Sequence, residues 1–212
     1  MDFLSLDRAL IFRITHHANI PWILAHGLHC RNSAIFDPNF TEIGRPEIID
    51  RRKTRRVDIP PGGTLSDYVP FYFSSKTPML LNIKTGWQGL QQRNMSDIVI
   101  LWTSLHDLAA VGIPFVYSDR TATLITAEFS VDLGRLGNLP WDLWKTDNFR
   151  RDDSRPDKIE RYLAEALVHR SVPLDGLKGI VCYSDDRKAE LEEMINEAGF
   201  AIPVHRRQGW YC

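Results

Sequence analysis

Apolar and polar positions along this chain alternate in short stretches and seldom hold a helical period for long. Leu10 to Thr15 (LIFRIT) is rich in β-branched and aromatic residues, the composition of a strand. Ala18 to His26 reads as a short helix with Gly27 as its stop. Residues 31–67 keep neither period. Gly44, Pro46, Pro60, Pro61, Gly62 and Gly63 punctuate them, and the region is expected to be irregular. Further strands are expected around Val69–Phe73, Asp97–Thr103 and Pro114–Tyr117. Between the last two, Ser104 is placed to cap a helix running through Ala110, and Gly112 to end it. From about Ser130 to Arg161 the chain is long, polar and expected to be a loop, with Trp141, Trp144 and Asn148 in it. A loop of that length inside a compact domain is more often functional than structural. Strands at Glu165–His169 and Gly179–Tyr183, a helix over Asp185–Ala198 and a strand at Ala201–His205 complete the pattern. Many short strands with few helices between them point to an α+β fold on a mixed sheet, without regular βαβ alternation. No internal repeat or low-complexity tract is present.

The 212 residues suit one domain, 1–212, and 43% hydrophobic with 25% charged residues is the mix of an ordinary globular protein. No apolar run approaches the roughly 18 residues needed to span a bilayer, so no membrane partner is expected. The start, MDFLSLDR, lacks a basic stretch followed by an apolar one, which argues against secretion and for a cytoplasmic protein. Cys30, Cys182 and Cys212 have no metal-like spacing and fit a reducing compartment. A net charge of -1 means that any nucleic-acid contact must come from local patches. The candidates are the run Arg51 to Arg56, the group Arg150, Arg151, Arg155, Lys158 and Arg161, and His205 to Arg207. Each is equally well a solvated face.

The chain lacks the GxGxxG and GxxxxGK[ST] nucleotide-binding motifs and the HExxH, CxxC and GxSxG catalytic ones. His16 and His17, near His26 and His29, raise the question of a metal. Adjacent residues on a strand point to opposite faces, however, and no metal site is expected. Glu165 begins an apolar strand just after the long polar segment. A carboxylate at a strand mouth below a loop can be held rigidly while the loop shapes a pocket; an edge-strand glutamate that discourages aggregation is the plainer alternative. In Tyr68 to Phe73, alternation sends Tyr68, Pro70 and Tyr72 one way and Val69, Phe71 and Phe73 the other. The tyrosine face is either a stacking platform for a planar ring or a second core face.

Several segments carry a resemblance when taken in order. They are Phe12 to His16, Asn19 to Leu24, Gly27 to Cys30, Ile43 to Ile49, Gly62 to Leu65 with Asp67 to Phe73, and Pro78 to Leu80. Phe149 to Asp152, Glu160 to Tyr162 with Ala164 to Val168, Gly179 to Ser184 and Gly209 to Tyr211 follow. Across nearly the whole chain they resemble the DarT family, the toxin halves of bacterial toxin–antitoxin pairs. The resemblance implies an ADP-ribosyltransferase-like split β-sheet core with an NAD cleft, and a long substrate-presenting loop over 130–160. It implies transfer of ADP-ribose from NAD to thymidine bases in short motifs of single-stranded DNA, with release of nicotinamide. It also implies a macrodomain antitoxin as partner; a monomer is expected.

By position, the resemblance makes Glu165 the catalytic glutamate and Arg52 a catalytic arginine. His16, Asn19, Gly27, Arg52, Tyr72 and Met79 become NAD contacts, and Trp144, Asn148, Arg150 and Arg151 candidate DNA contacts. Trp144 is as able to anchor the loop as to stack on a base. Two positions depart: Thr121 stands where relatives carry histidine, and Leu163 replaces a glutamine. Both changes fall on the substrate side. They keep open another acceptor on the same fold (a guanine base, RNA or protein). Simple NAD hydrolysis and a non-catalytic nucleic-acid-binding module are further alternatives.

Overall fold

The computed structural model describes residues 4–146, 148 and 150–212, except the side chain of Gln88. Its centre is β1 (Leu10–His16), whose apolar run is flanked on one side by β4 (Ile98–Ser104) and β9 (Gly179–Cys182) and ends at β10 (Val204–Arg206). On the other side lie β3 (Tyr68–Tyr72), β7 (Glu165–His169), β5 (Phe115–Ser118) and β6 (Phe129–Ser130). The result is an eight-stranded sheet in the order β10-β9-β4-β1-β3-β7-β5-β6. Its pairings are antiparallel except between β9 and β10. Two short strands, β2 (Leu28–His29) and β8 (Ser171–Val172), pair separately.

Both faces of the sheet are covered, which explains why β4 shows no alternation: Ile98, Val99, Ile100 and Leu101 are all fully buried. Val69, Phe71 and Phe73 join the larger apolar core. Tyr68 belongs to a smaller one with Val57, Leu65, Val116 and Leu167. The tyrosine face of β3 is therefore mixed. Tyr68 is core, its hydroxyl donating to the Gly62 carbonyl at 2.7 Å, whereas Tyr72 lies at the strand's far end beside Glu165.

The sheet divides between β1 and β3. β1 pairs with β4 along its whole length, Leu10 opposite Ser104 through His16 opposite Ile98, but meets β3 at a single register pair, Phe12 opposite Tyr72. Pro70 has no N–H to offer a ladder. Its carbonyl is taken instead by the Arg13 guanidinium at 3.0 Å, so a side chain stands where backbone pairing stops. The split core that the resemblance implies is thus present, and Glu165 sits at its mouth, opposite Tyr72.

The helices differ more from expectation. α1 covers Ile20–His26, preceded by a tight 3-10 turn at His17–Asn19. Within the stretch expected to be irregular lies α2 (Pro46–Thr54), with Pro46 in its first turn and no buried residue. It has no apolar stripe from which a helix can be read. α3 (Pro78–Thr85) was also not expected: Thr77 caps it through a 3.1 Å bond from the Leu80 amide, and Gly86 ends it at φ +70. α4 (Leu105–Ala110) follows its Ser104 cap as expected. The 130–161 segment is folded rather than a free loop. It contains a 3-10 stretch at Leu133–Asn138, then α5 (Trp141–Lys145) and α6 (Lys158–Tyr162). α7 (Asp185–Glu197) closes the helices. The histidine pair also differs: β1 ends at His16, the chain turns, and the two rings lie 4.7 Å apart instead of on opposite faces.

Candidate active site

Glu165 is the first residue of β7, an interior strand between β3 and β5, so it is not an edge-strand charge. Its side chain is 5% exposed, and both carboxylate oxygens are engaged. Arg52 Nη1 donates to Oε2 at 2.7 Å, and the Ala122 backbone N–H donates to Oε1 at 3.1 Å. The Glu165 backbone N–H is itself held by Ser118 Oγ at 3.0 Å. A carboxylate taken from water needs such partners, because unpaired burial of charge is costly. The Arg52 side chain is 14% exposed, and its Nη2 is buried with no hydrogen-bond partner. Arg52 therefore fixes Glu165 with one nitrogen and keeps a second donor unclaimed.

Tyr72 faces Glu165 across the β3–β7 ladder, and its hydroxyl donates to Met79 Sδ at 3.5 Å. The residue as a whole is half-buried. Burial, and then the charge of Glu165, pushes that hydroxyl well above the ordinary tyrosine range, so it stays a donor at neutral pH. Arg13 lies behind: burial pulls its guanidinium down to about 10, with Glu42, Arg52 and Tyr72 among the groups that act on it. Its Nε is buried without a partner. Arg52 is thus the guanidinium on Glu165, while Arg13, held to the Pro70 carbonyl, neighbours Arg52, Tyr72 and Glu42.

His16 accepts the Ala18 amide proton at Nδ1 (3.2 Å), so its neutral ring carries the proton at Nε2. His17 Nδ1 accepts from Arg187 at 2.6 Å, which fixes the same tautomer there. Burial first, then the neighbouring His17 ring, lowers the pKa of His16; burial and then Arg187 lower that of His17. Both are neutral donors near neutral pH.

Asn19 and Gly27 are tied up structurally. The Asn19 side chain bonds Thr15 Oγ1, the Thr41 carbonyl and the Thr41 amide at 3.0, 3.0 and 2.8 Å, pinning the 31–45 segment to β1. Gly27 ends α1 at φ +81, where an added Cβ would stand 2.9 Å from the Val172 carbonyl. Trp144 is a correction. It is fully buried, stacks on Phe73 at 5.0 Å, and gives its indole N–H to the Tyr162 carbonyl at 2.9 Å. It anchors the segment and has no face left for a base. Asn148, Arg150 and Arg151 are exposed, with Asn148 Oδ1 accepting the Arg150 amide at 3.0 Å. Phe149, between them in sequence, lies outside the described residues. Thr121 is fastened to the Glu160 carbonyl through both its N–H (2.8 Å) and its hydroxyl (3.2 Å), one residue from the Ala122 amide that holds Glu165. Among the described residues no group of three or more His, Cys, Asp or Glu is arranged to hold a metal.

Residues 12–212 match the model of the family described as "ssDNA thymidine ADP-ribosyltransferase, DarT". The chain belongs to the DarT family of NAD-dependent DNA ADP-ribosyltransferases. It is 43% identical to a DNA ADP-ribosyl transferase of Escherichia coli O127:H6 over 98% of its own length and 95% of the relative's. It superimposes on Thermus sp. 2.9 DarT in complex with ADP-ribosylated ssDNA with a TM-score of 0.90 at 30% identity, covering 97% of both chains. For the same Thermus protein in complex with NAD+, the TM-score is 0.82 at 31% identity, over 97% of this chain and 98% of that one.

For a DarT chain, two contacts of Glu165, Ser118 and the Ala122 amide, were not singled out by sequence, nor was Arg13, the neighbour of Arg52 and Tyr72. Arg13 left a signal as the lone charge inside the apolar stretch LIFRIT. Ser118 and Ala122 left none, since a serine that clips a backbone amide and an alanine that donates one are ordinary in sequence. The run Arg51 to Arg56 divides by helical turn. Arg52 reaches Glu165, and Arg55 lies over Phe129 at 5.2 Å, while Arg51, Lys53 and Arg56 face solvent.

Proposed function

We propose that this chain transfers ADP-ribose from NAD to a thymidine base of single-stranded DNA, releasing nicotinamide, with Glu165 as its catalytic carboxylate. The observation that carries the reading is the Glu165 carboxylate itself, buried at the mouth of the split sheet and gripped by Arg52 and the Ala122 amide. Cleavage of the bond between nicotinamide and ribose moves positive charge onto the sugar, as in glycoside hydrolysis. A fixed carboxylate stabilises that charge more in the transition state than in the ground state, which is what accelerates a reaction. The electron pair of the broken bond leaves with nicotinamide. The thymine ring nitrogen forms the new bond to the sugar carbon, and its proton passes to Glu165. The unclaimed Arg52 Nη2 is the donor for negative charge developing on the base. The Arg13 guanidinium, whose Nε is unclaimed, suits the pyrophosphate of NAD, and the His16 Nε2–H supplies a further donor. Tyr72 and Met79 form a polarisable wall for the nicotinamide ring. Asn19 and Gly27 act indirectly, by shaping the neighbouring chain.

We further place the protein as a one-domain, monomeric, cytoplasmic toxin whose mark is removed by a macrodomain antitoxin. Thr121 supports a second reading: it offers no imidazole where the resemblance implies one, and its hydroxyl is already committed to the Glu160 carbonyl. That leaves room for a different acceptor on the same fold. Labelled NAD incubated with separate DNA, RNA and protein pools decides between them. The proposal expects label in single-stranded DNA that contains thymidine. Label confined to RNA, protein or thymidine-free DNA overturns it, as does nicotinamide release that DNA does not stimulate.

A further inference from the structure

A concavity of about 510 Å³ lies between the N-terminal residues and the 137–161 segment, on the scale of small-ligand sites. None of Glu165, Arg52, Tyr72, Met79 or Ala122 lines it. Its apolar side is Leu6, Leu139, Trp141 and Leu143, with the Trp141 indole N–H given to the Leu136 carbonyl at 2.7 Å. Its charged side carries Lys145, Arg155, Lys158 and Arg161 against Asp142 and Asp157, an excess of cations in a chain whose net charge is -1.

The two arginines among these cations are loosely held within the protein. The Arg161 Nε is buried with no partner, and its Nη2 stands 3.5 Å from the Asn138 carbonyl, at the limit of a hydrogen bond. Lys158 is 5% exposed, and its ammonium donates to the Arg150 carbonyl at 3.0 Å. Arg155 meets Asp152 at 3.6 Å, a loose and exposed pair of little strength. An under-bonded guanidinium and a buried ammonium beside an apolar wall form a place for a phosphate that carries an apolar or planar body. That is the chemistry of a nucleotide. Arg161 precedes Glu165 by four residues, at most about 14 Å of extended chain.

We propose that this cavity holds a nucleotide of the substrate strand that flanks the acceptor base. Its phosphate lies against Lys145, Arg155 and Arg161, and its sugar or base against Leu139 and Trp141. The inference rests on the DNA-modifying function proposed above and adds to it a grip separate from the chemistry. Lys145 and Arg155 are exposed, so replacing them leaves the fold alone.

The test is anisotropy of a labelled single-stranded oligonucleotide at a series of salt concentrations, with wild type, the double variant K145A/R155A and, separately, Arg161→Met. The double variant is expected to bind roughly tenfold more weakly, with the salt slope of log K reduced by about 0.7 for each phosphate that is no longer neutralised. In transfer assays its KM for DNA rises while kcat at saturating DNA and KM for NAD stay put. Thymidine 5′-monophosphate and inorganic phosphate serve as competitors, and neither should displace the strand at concentrations where an unlabelled oligonucleotide does. Unchanged affinity and slope in the double variant overturn the inference, and so does displacement by the mononucleotide as readily as by the strand. Binding is read without turnover, so a wild type that binds DNA through this cavity but does not modify it would sink the function and leave the subsite. Normal transfer with an indifferent double variant would do the reverse.

Discussion

A carboxylate stripped of water and handed a guanidinium has lost its freedom to turn, and Glu165 is in that position. Its geometry depends on Arg52, 113 positions earlier, which no local pattern connects with it; the link came through the family resemblance. Arg52→Lys keeps the charge and loses the planar fork. We expect kcat for transfer to fall about 100-fold, the scale of losing one preorganised donor, with the thermal midpoint little changed. Trp144 teaches the opposite lesson. Its polar neighbours suggested a loop residue, but its ring is buried against Phe73 and Trp141. Trp144→Ala should cost about 3–5 kcal/mol in urea unfolding, while Trp144→Phe should leave oligonucleotide affinity as it is. Loss of DNA affinity in a folded Trp144→Phe protein would return the residue to the substrate side.

Strands that bury both faces were readable because apolar runs of that kind have few other uses: Glu165–His169 has the bounds expected of it, and Ser104 caps the helix assigned to it. α2 was not readable from an apolar period, since it buries nothing and its residues are mostly charged; its signals are Pro46 and Glu47 in the first turn and Arg51, Arg52 and Lys53 in the last. α3 carried its markers, Thr77 with Pro78 at the start and Gly86 at the end, but eight residues are too few to establish a period. The split in the sheet was implied by resemblance, and its physical cause, Pro70 facing Arg13, emerges only when both strands are in place. Between α1 and β2, Gly27 combines a left-handed backbone with a close approach to Val172. Gly27→Ala should lower stability by about 1–3 kcal/mol, the usual cost of a strained backbone, seen as a lower midpoint in thermal unfolding. An unchanged midpoint would mean that the turn can relax.

For the molecule as a whole, the balance of charge leaves open which surfaces meet nucleic acid: the 51–56 run is partly spent on Glu165 and Phe129 but keeps Arg51, Lys53 and Arg56 at the surface, and Arg150, Arg151 and Arg155 are exposed as well. His16, His17 and His169 have pKa values lowered, chiefly by burial and also by cationic or histidine neighbours. The unfolded chain therefore binds protons at these sites more readily than the folded one, so their contribution to stability is complete above about pH 7 and is lost as pH falls through about 6.5 towards their folded values. The thermal midpoint should rise from about pH 5 to about pH 7, and His17→Gln should flatten that rise; a slope unaltered by the substitution would assign the effect elsewhere.

The most direct measurement compares wild type with Glu165→Gln for NAD affinity by calorimetry and for ADP-ribose transfer to a thymidine-containing oligonucleotide by mass spectrometry. The account predicts a folded variant that binds NAD within a few-fold of wild type and transfers at least about 100-fold more slowly. A Glu165→Gln protein that still modifies DNA at a rate near wild type would contradict it.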